Sequence, residues 1–253
     1  MQSRLNHFQI ELVERKIKMK KLLFSTMVVL AVGICSMAAE RKALRDVDAE
    51  SLAADTQVAF KGAGDNHVAF AWWMPNEYWE SFLSRDTSMS EDDKRAMLDT
   101  MSGVCLFAVA QADISAFGSF DFYSKGLIES NMVISFSDAN GTRQRLLPLQ
   151  EIDPDLQILL DVIRPILASA MGNFGNNMHF YVLNDRSKTS SRLLDPYRKG
   201  KINIQLSRRD GARLTADIEM PVNALFVPRK CPNGKDAHIS WNYCPWTGER
   251  LED

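Results

Sequence analysis

Histidine and cysteine are scarce in this chain, four of each in 253 residues, and the short patterns that mark common active sites are missing. There is no Gly-x-Ser-x-Gly elbow, no His-Glu-x-x-His, no phosphate-cradling Walker loop and no Gly-x-Gly-x-x-Gly after a strand. Serine-hydrolase, zinc-peptidase, P-loop and dinucleotide-binding chemistry therefore leave no signature here. Positive charge is not in excess either, with 30 Lys and Arg against 32 Asp and Glu, which argues against a nucleic-acid partner. Repeats, low-complexity tracts and Pro-rich linkers are absent as well.

The long apolar run that does occur lies near the N-terminus. Leu22 to Ile34 follows Met19-Lys20-Lys21 and precedes Ser36-Met37-Ala38. A basic stretch, an apolar core and small residues in that order define a signal peptide, with cleavage expected after Ala38 and translation starting at Met19. An uncleaved anchor is the competing reading, and only it would bring in a membrane, because Leu22 to Ala39 approaches the length of a span. A lipoprotein is disfavoured, since Ile34 rather than a small residue precedes Cys35. Loss of residues 1–38 removes six basic and two acidic residues and leaves a net charge of −6. Export implies a periplasmic or secreted protein, and 215 residues remain, enough for one domain with a full core.

Residues 39–57 are charged with sparse apolar positions and read as a loose linker or a frayed helix, so the domain is expected to span 58–228. HVAFAWWMP (His67 to Pro75) reads as a strand stopped by proline, and a helix follows from Asn76 with Trp79, Phe82 and Leu83 on one face. Ser90-Glu91-Asp92-Asp93 has the form of a capping box and predicts a helix from Glu91 to Met101. Val104 to Ile114 is continuous enough to be a strand covered on both faces. Asn140-Gly141 predicts a hairpin turn. Asp153-Pro154 opens a long helix in which Leu156, Leu159, Leu160, Ile163, Leu167 and Met171 recur at helical spacing, with a kink expected at Pro165 and an end at Gly172. Met178 to Leu183 reads as a central strand, and INIQLS with ARLTADIEM as a hairpin turned at Arg209-Asp210-Gly211. Strands in hairpins with helices between them specify an α+β fold: a mainly antiparallel sheet, one long kinked helix, short helices and a small tail.

The tail, 229–253, holds the most specific pattern. Cys231-Pro232-Asn233-Gly234 and Cys244-Pro245-Trp246-Thr247-Gly248 each keep a Cys-Pro pair, and over residues 231–251 the tail resembles a zinc ribbon in which Gly234 and Thr247 stand in place of the second thiolate of each knuckle. A four-thiolate zinc site is thereby reduced to two cysteines, with His238 as the candidate third ligand and Asp236 or Glu249 left as a fourth. A disulfide between Cys231 and Cys244 is the favoured reading in an oxidising compartment, and zinc on Cys231, His238 and Cys244 is the alternative. Otherwise no cofactor is expected. Cys105, in an apolar strand, reads as a buried small residue.

Three further groups of residues are candidates. Trp72 and Trp73 point to opposite faces of their strand, so one indole could stack on a sugar or partner, although two packed rings are the commoner arrangement. Arg192, Arg198 and Lys199 belong to a basic stretch, Asp185 to Lys201, that could meet an anionic surface, though most such runs are solvated loops. His67 and His179 are the histidines available to a hydrolase that short motifs miss. The preferred function is an exported, non-enzymatic binding or structural protein of the cell envelope with a protein or glycan partner.

Overall fold

The computed structural model describes residues 39–61, 64, 66–186 and 191–251. Residues 1–38, expected to be a signal peptide, lie outside them, and no helix among the described residues is long and apolar enough to cross a membrane.

The expected α+β fold is present, built on two antiparallel sheets. In the first, β1 (Gln57–Ala59), β2 (His67–Met74) and β3 (Val104–Ile114) are consecutive neighbours, and the far edge of β3 is shared by β4 (Phe120–Phe122) and β7 (His179–Asn184). The second has the order β6-β5-β8-β9, from β5 (Val133–Asp138), β6 (Arg143–Leu146), β8 (Gly200–Ser207) and β9 (Arg213–Met220). Two isolated antiparallel bridges, Lys61 to Thr215 and Pro148 to Leu183, tie the sheets together at both sides. Eight strands are thus linked into a ring of antiparallel pairings, which the sequence did not disclose.

Local chemistry explains the elements. Asn140-Gly141 turns the β5–β6 hairpin, with Gly141 at φ 81° and the Asp138 carboxylate accepting from the amides of Asn140 and Thr142. Ser90 caps the helix Glu91–Thr100 by accepting from Asp93 N. Asp153 caps Pro154–Asn176 in the same way through Asp155 N. That long helix runs through Pro165 and departs from helical torsions at Gly172 (φ 57°, ψ −133°), so the break falls at the glycine rather than at the proline.

The segment expected to be a linker is part of the domain. Asp48 caps a helix, Ala49–Thr56, whose Leu52 is fully buried together with Val47. Thr56 Oγ1 accepts from Trp72 Nε1, and Asp55 accepts from Ala224 N. A short apolar count was misleading here because the two largest buried apolar side chains, Val47 and Leu52, are enough to dock the segment.

We label the helices α1 (Ala49–Thr56), α2 (Asn76–Leu83), α3 (Glu91–Thr100), α4 (Lys125–Asn131) and α5 (Pro154–Asn176). The main core lies where one face of the first sheet, with Trp72, Met74, Leu106, Ala108, Phe180 and Val182, meets Trp79 of α2 and Leu156, Leu160 and Ile163 of α5. The opposite face of the same sheet is buried too, through Trp73, Phe107, Val109, Tyr181 and Leu183. The tail has its own small cluster, Cys231, Ala237, Cys244 and Leu251, beside the ladder of β10 (Arg229–Lys230) with β11 (Asp236–Ala237).

Candidate functional site

The helical layer covers the sheet incompletely. Leu156, Leu160 and Ile163 of α5 face inward, while Ile158, Val162 and Ile166 on the same helix are 64%, 58% and 61% exposed. A helix apolar on more than its core side is normally covered by something else. Opposite this stripe stand Tyr78, Phe82 and Leu83 of α2 with Met97 of α3, and the two walls enclose a cleft of about 540 Å³. Phe82, expected on one helix face with Trp79 and Leu83, is 55% exposed and lines this cleft. The volume lies in the range of small-ligand and peptide pockets.

The charged residues lining the cleft are Asp86 and Asp155, both acidic. Trp79, on its inner wall, has its indole N–H buried without a hydrogen-bond partner. Chemically the cleft can hold aliphatic or aromatic groups and favours a cation at its rim. It contains no nucleophile–base pair. Comparison with protein-family models, curated proteins and solved structures returns no match.

The residues singled out from the sequence are placed differently. Trp72 and Trp73 do take opposite faces of β2, but at 4% and 0% exposure both are core, and neither offers a stacking surface. Arg192 is drawn inward as well: it donates through Nη1 and Nη2 to Glu77 at 2.6 and 2.9 Å and through Nε to Asp185 at 2.9 Å. It is a structural cation rather than part of a docking face. Arg198 and Lys199 are exposed.

Cys231 and Cys244 come together, both buried, close enough for each thiol to shift the other. They are free thiols here rather than a disulfide. Each sits in a knuckle closed by backbone hydrogen bonds, Gly234 N to Cys231 O and Gly248 N to Cys244 O. Burial raises the Cys244 thiol, but hydrogen bonds from Cys231, from the Thr247 side chain and from the Thr247 and Trp246 amides outweigh it and bring the group down to about 7. Burial and the bond to Cys244 push Cys231 up to about 11. His238 does not join them: its Nδ1 lies 2.8 Å from Ser240 Oγ, and among the described residues no three His, Cys, Asp or Glu side chains converge as a metal site would require. Cys105 is buried in β3, as its surroundings suggested.

The two remaining histidines are held by neighbours. His67 Nδ1 lies 2.7 Å from Asp113, and its Nε2 lies 3.2 Å from Gln111 Nε2, so the imidazole is the Nδ1–H tautomer that donates to the carboxylate and accepts from the amide. Asp113 in turn receives Arg209, whose guanidinium lies over the Tyr123 ring and also reaches Asp121. The network ties β2, β3 and β4 to the β8–β9 turn. His179 Nε2 donates to Tyr123 O at 3.0 Å.

Burial lowers the His179 pKa below that of a free imidazole. The neutral form is thus preferred in the folded state, the stability it contributes is complete above the unfolded value of about 6.5, and it is lost as pH falls through the lower folded value. Wild-type unfolding free energy is expected to rise between pH 5 and pH 7, by more than in a His179→Gln variant. Urea titrations at the two pH values check this, and equal slopes for the two proteins would remove His179 as the cause.

Proposed function

We propose that this protein is a non-enzymatic binding module of the cell envelope, exported by its N-terminal segment, that holds an apolar peptide segment flanked by basic residues in the cleft between α2, α3 and α5. The observation that carries this reading is the exposed stripe Ile158, Val162 and Ile166, three aliphatic side chains that the domain's own core does not use. Asp86 and Asp155 select the occupant: they favour a cationic flank and oppose the carboxylate of a fatty acid. An amphipathic helix laid in a groove is a recurrent solution to this geometry. The hydrolase reading depended on His67 or His179 and weakens with both ring nitrogens of His67, and Nε2 of His179, engaged by neighbours. Within the same reading the tail forms a Cys231–Cys244 disulfide after export.

The test is fluorescence anisotropy with a labelled, leucine-rich helical peptide carrying lysines at one end, beside the same peptide with glutamates there. The lysine peptide is expected to bind, the glutamate peptide to bind less tightly, and the Val162→Asp, Ile166→Asp double variant to lose affinity by at least about tenfold. Because both side chains are already exposed, the double variant should change unfolding free energy by no more than about 0.5 kcal/mol per site. No binding by the wild type, or equal binding by wild type and variant, would reject the cleft as the site.

A further inference from the structure

A second cavity, about 570 Å³, lies where the end of the second sheet meets the tail. Its character is the reverse of the helical cleft. One wall brings Asp138 of β5, Lys199 just before β8, and Glu219 of β9, and the other brings His238 and Trp241 from the tail. Trp241 is 36% exposed, a large share for an indole that also contacts its neighbours.

The indole is fixed in place. Its ring centroid lies 5.9 Å from that of Trp246, edge to face, and 5.9 Å from the His238 ring. The backbone beneath it is anchored three times: Trp241 N donates to His238 O, Ile239 N donates to Asn223 Oδ1, and the Arg229 guanidinium donates to the carbonyls of Ile239 and Trp241. On the facing wall, Asp138 is oriented by two backbone amides and Glu219 by Lys201 at 2.7 Å. Lys199 makes no ion pair with a described residue. Such a site loses little conformational freedom when a ligand enters.

A rigid, partly exposed indole facing oriented carboxylates and an ammonium suits a ligand with one apolar face and a rim of hydroxyls. A planar apolar ligand would leave the charges unpaired. We infer that this groove binds a pyranose unit of a glycan, its C–H face on Trp241 and its hydroxyls hydrogen-bonded by Asp138, Glu219 and Lys199. The stacking role weighed for Trp72 and Trp73 is thereby assigned to a different tryptophan. This inference does not depend on the peptide cleft, because the residues lining the two cavities do not overlap.

Isothermal titration of the full chain with maltotetraose, chitotetraose and tetragalacturonate tests it. At least one is expected to bind, with affinity reduced about tenfold or more in Trp241→Ala and largely restored in Trp241→Phe. Lys199→Ala, at an exposed position, should weaken binding without altering the fold, and most strongly for the uronate. The Val162→Asp, Ile166→Asp protein should bind the saccharide as the wild type does, so failure of one site is separable from failure of the other. Absence of heat with all three at millimolar ligand, or binding indifferent to both Trp241→Ala and Lys199→Ala, would overturn the inference.

Discussion

Replacing Arg192 with alanine is expected to lower the unfolding free energy by about 3–5 kcal/mol, the usual result of stripping one partner from a buried ion pair. Glu77 and Asp185 are both nearly inaccessible, with side chains 7% and 3% exposed, and Arg192 serves both. Burial already raises the Asp185 pKa, and the Leu194 amide and Arg192 counteract it. Without the guanidinium, the Glu77 and Asp185 carboxylates share a dry site with no cation between them. The Asp185 pKa, already raised by burial, then rises further above its unfolded value. The variant should therefore lose least stability at pH 4–5, where the folded state can bind protons, and most above the carboxylate range. Denaturant titrations of wild type and variant at pH 5 and pH 8 measure this. A loss within about 0.5 kcal/mol at pH 8 would place Arg192 among ordinary surface cations. Arg192 substitutions are thus unsuited to mapping a binding face, because they act through folding.

Oxidation of the tail should produce the other large change. An exchange in which an external disulfide such as oxidised glutathione takes the two thiol hydrogens and leaves a Cys231–Cys244 bond closes a short loop, worth roughly 3 kcal/mol to the tail in the chain-entropy account. The Cys244 thiol, lowered to about 7, supplies the attacking thiolate near neutral pH, and Cys231 lies against it. Intact mass should fall by two hydrogens, and amide exchange at Cys244, Gly248 and Leu251, whose hydrogen bonds knit the tail, should slow in the oxidised protein. Two alkylatable thiols persisting under oxidising conditions would exclude the bond. Tryptophan fluorescence should respond as well, because His238, Trp241 and Tyr243 lie inside the closed loop.

Much of the fold was legible where a local rule decides the outcome. Asn140-Gly141, Ser90 with Asp93, Asp153-Pro154 and the alternation of Ile202, Ile204 and Leu206 each act within a few residues, and each element formed as those residues dictate. Partners distant in the chain were not legible. Arg192 sits in a polar stretch indistinguishable by composition from a solvated loop, and Glu77, which draws it inward, is far away. Trp72 and Trp73 gave no sign of which helices would cover them. The helical cleft was hidden for the opposite reason: Ile158, Val162, Ile166 and Phe82 look like core residues, and only the placement of α2 and α3 leaves them uncovered. The spent stretch 39–57 escaped notice because two deeply buried side chains, Val47 and Leu52, suffice to dock it.

Joining the sheets through Lys61 with Thr215 and Pro148 with Leu183 also bears on how the protein tolerates crowding. Open strand edges recruit other chains by continuing the ladder, and here β1 and β9 shield one another on one side while the chain after β6 shields β7 on the other. The unpaired side of β4 is only three residues long, too short to template growth. Self-association of this protein at high concentration should consequently proceed through its helices, yielding soluble, reversible oligomers rather than fibrils.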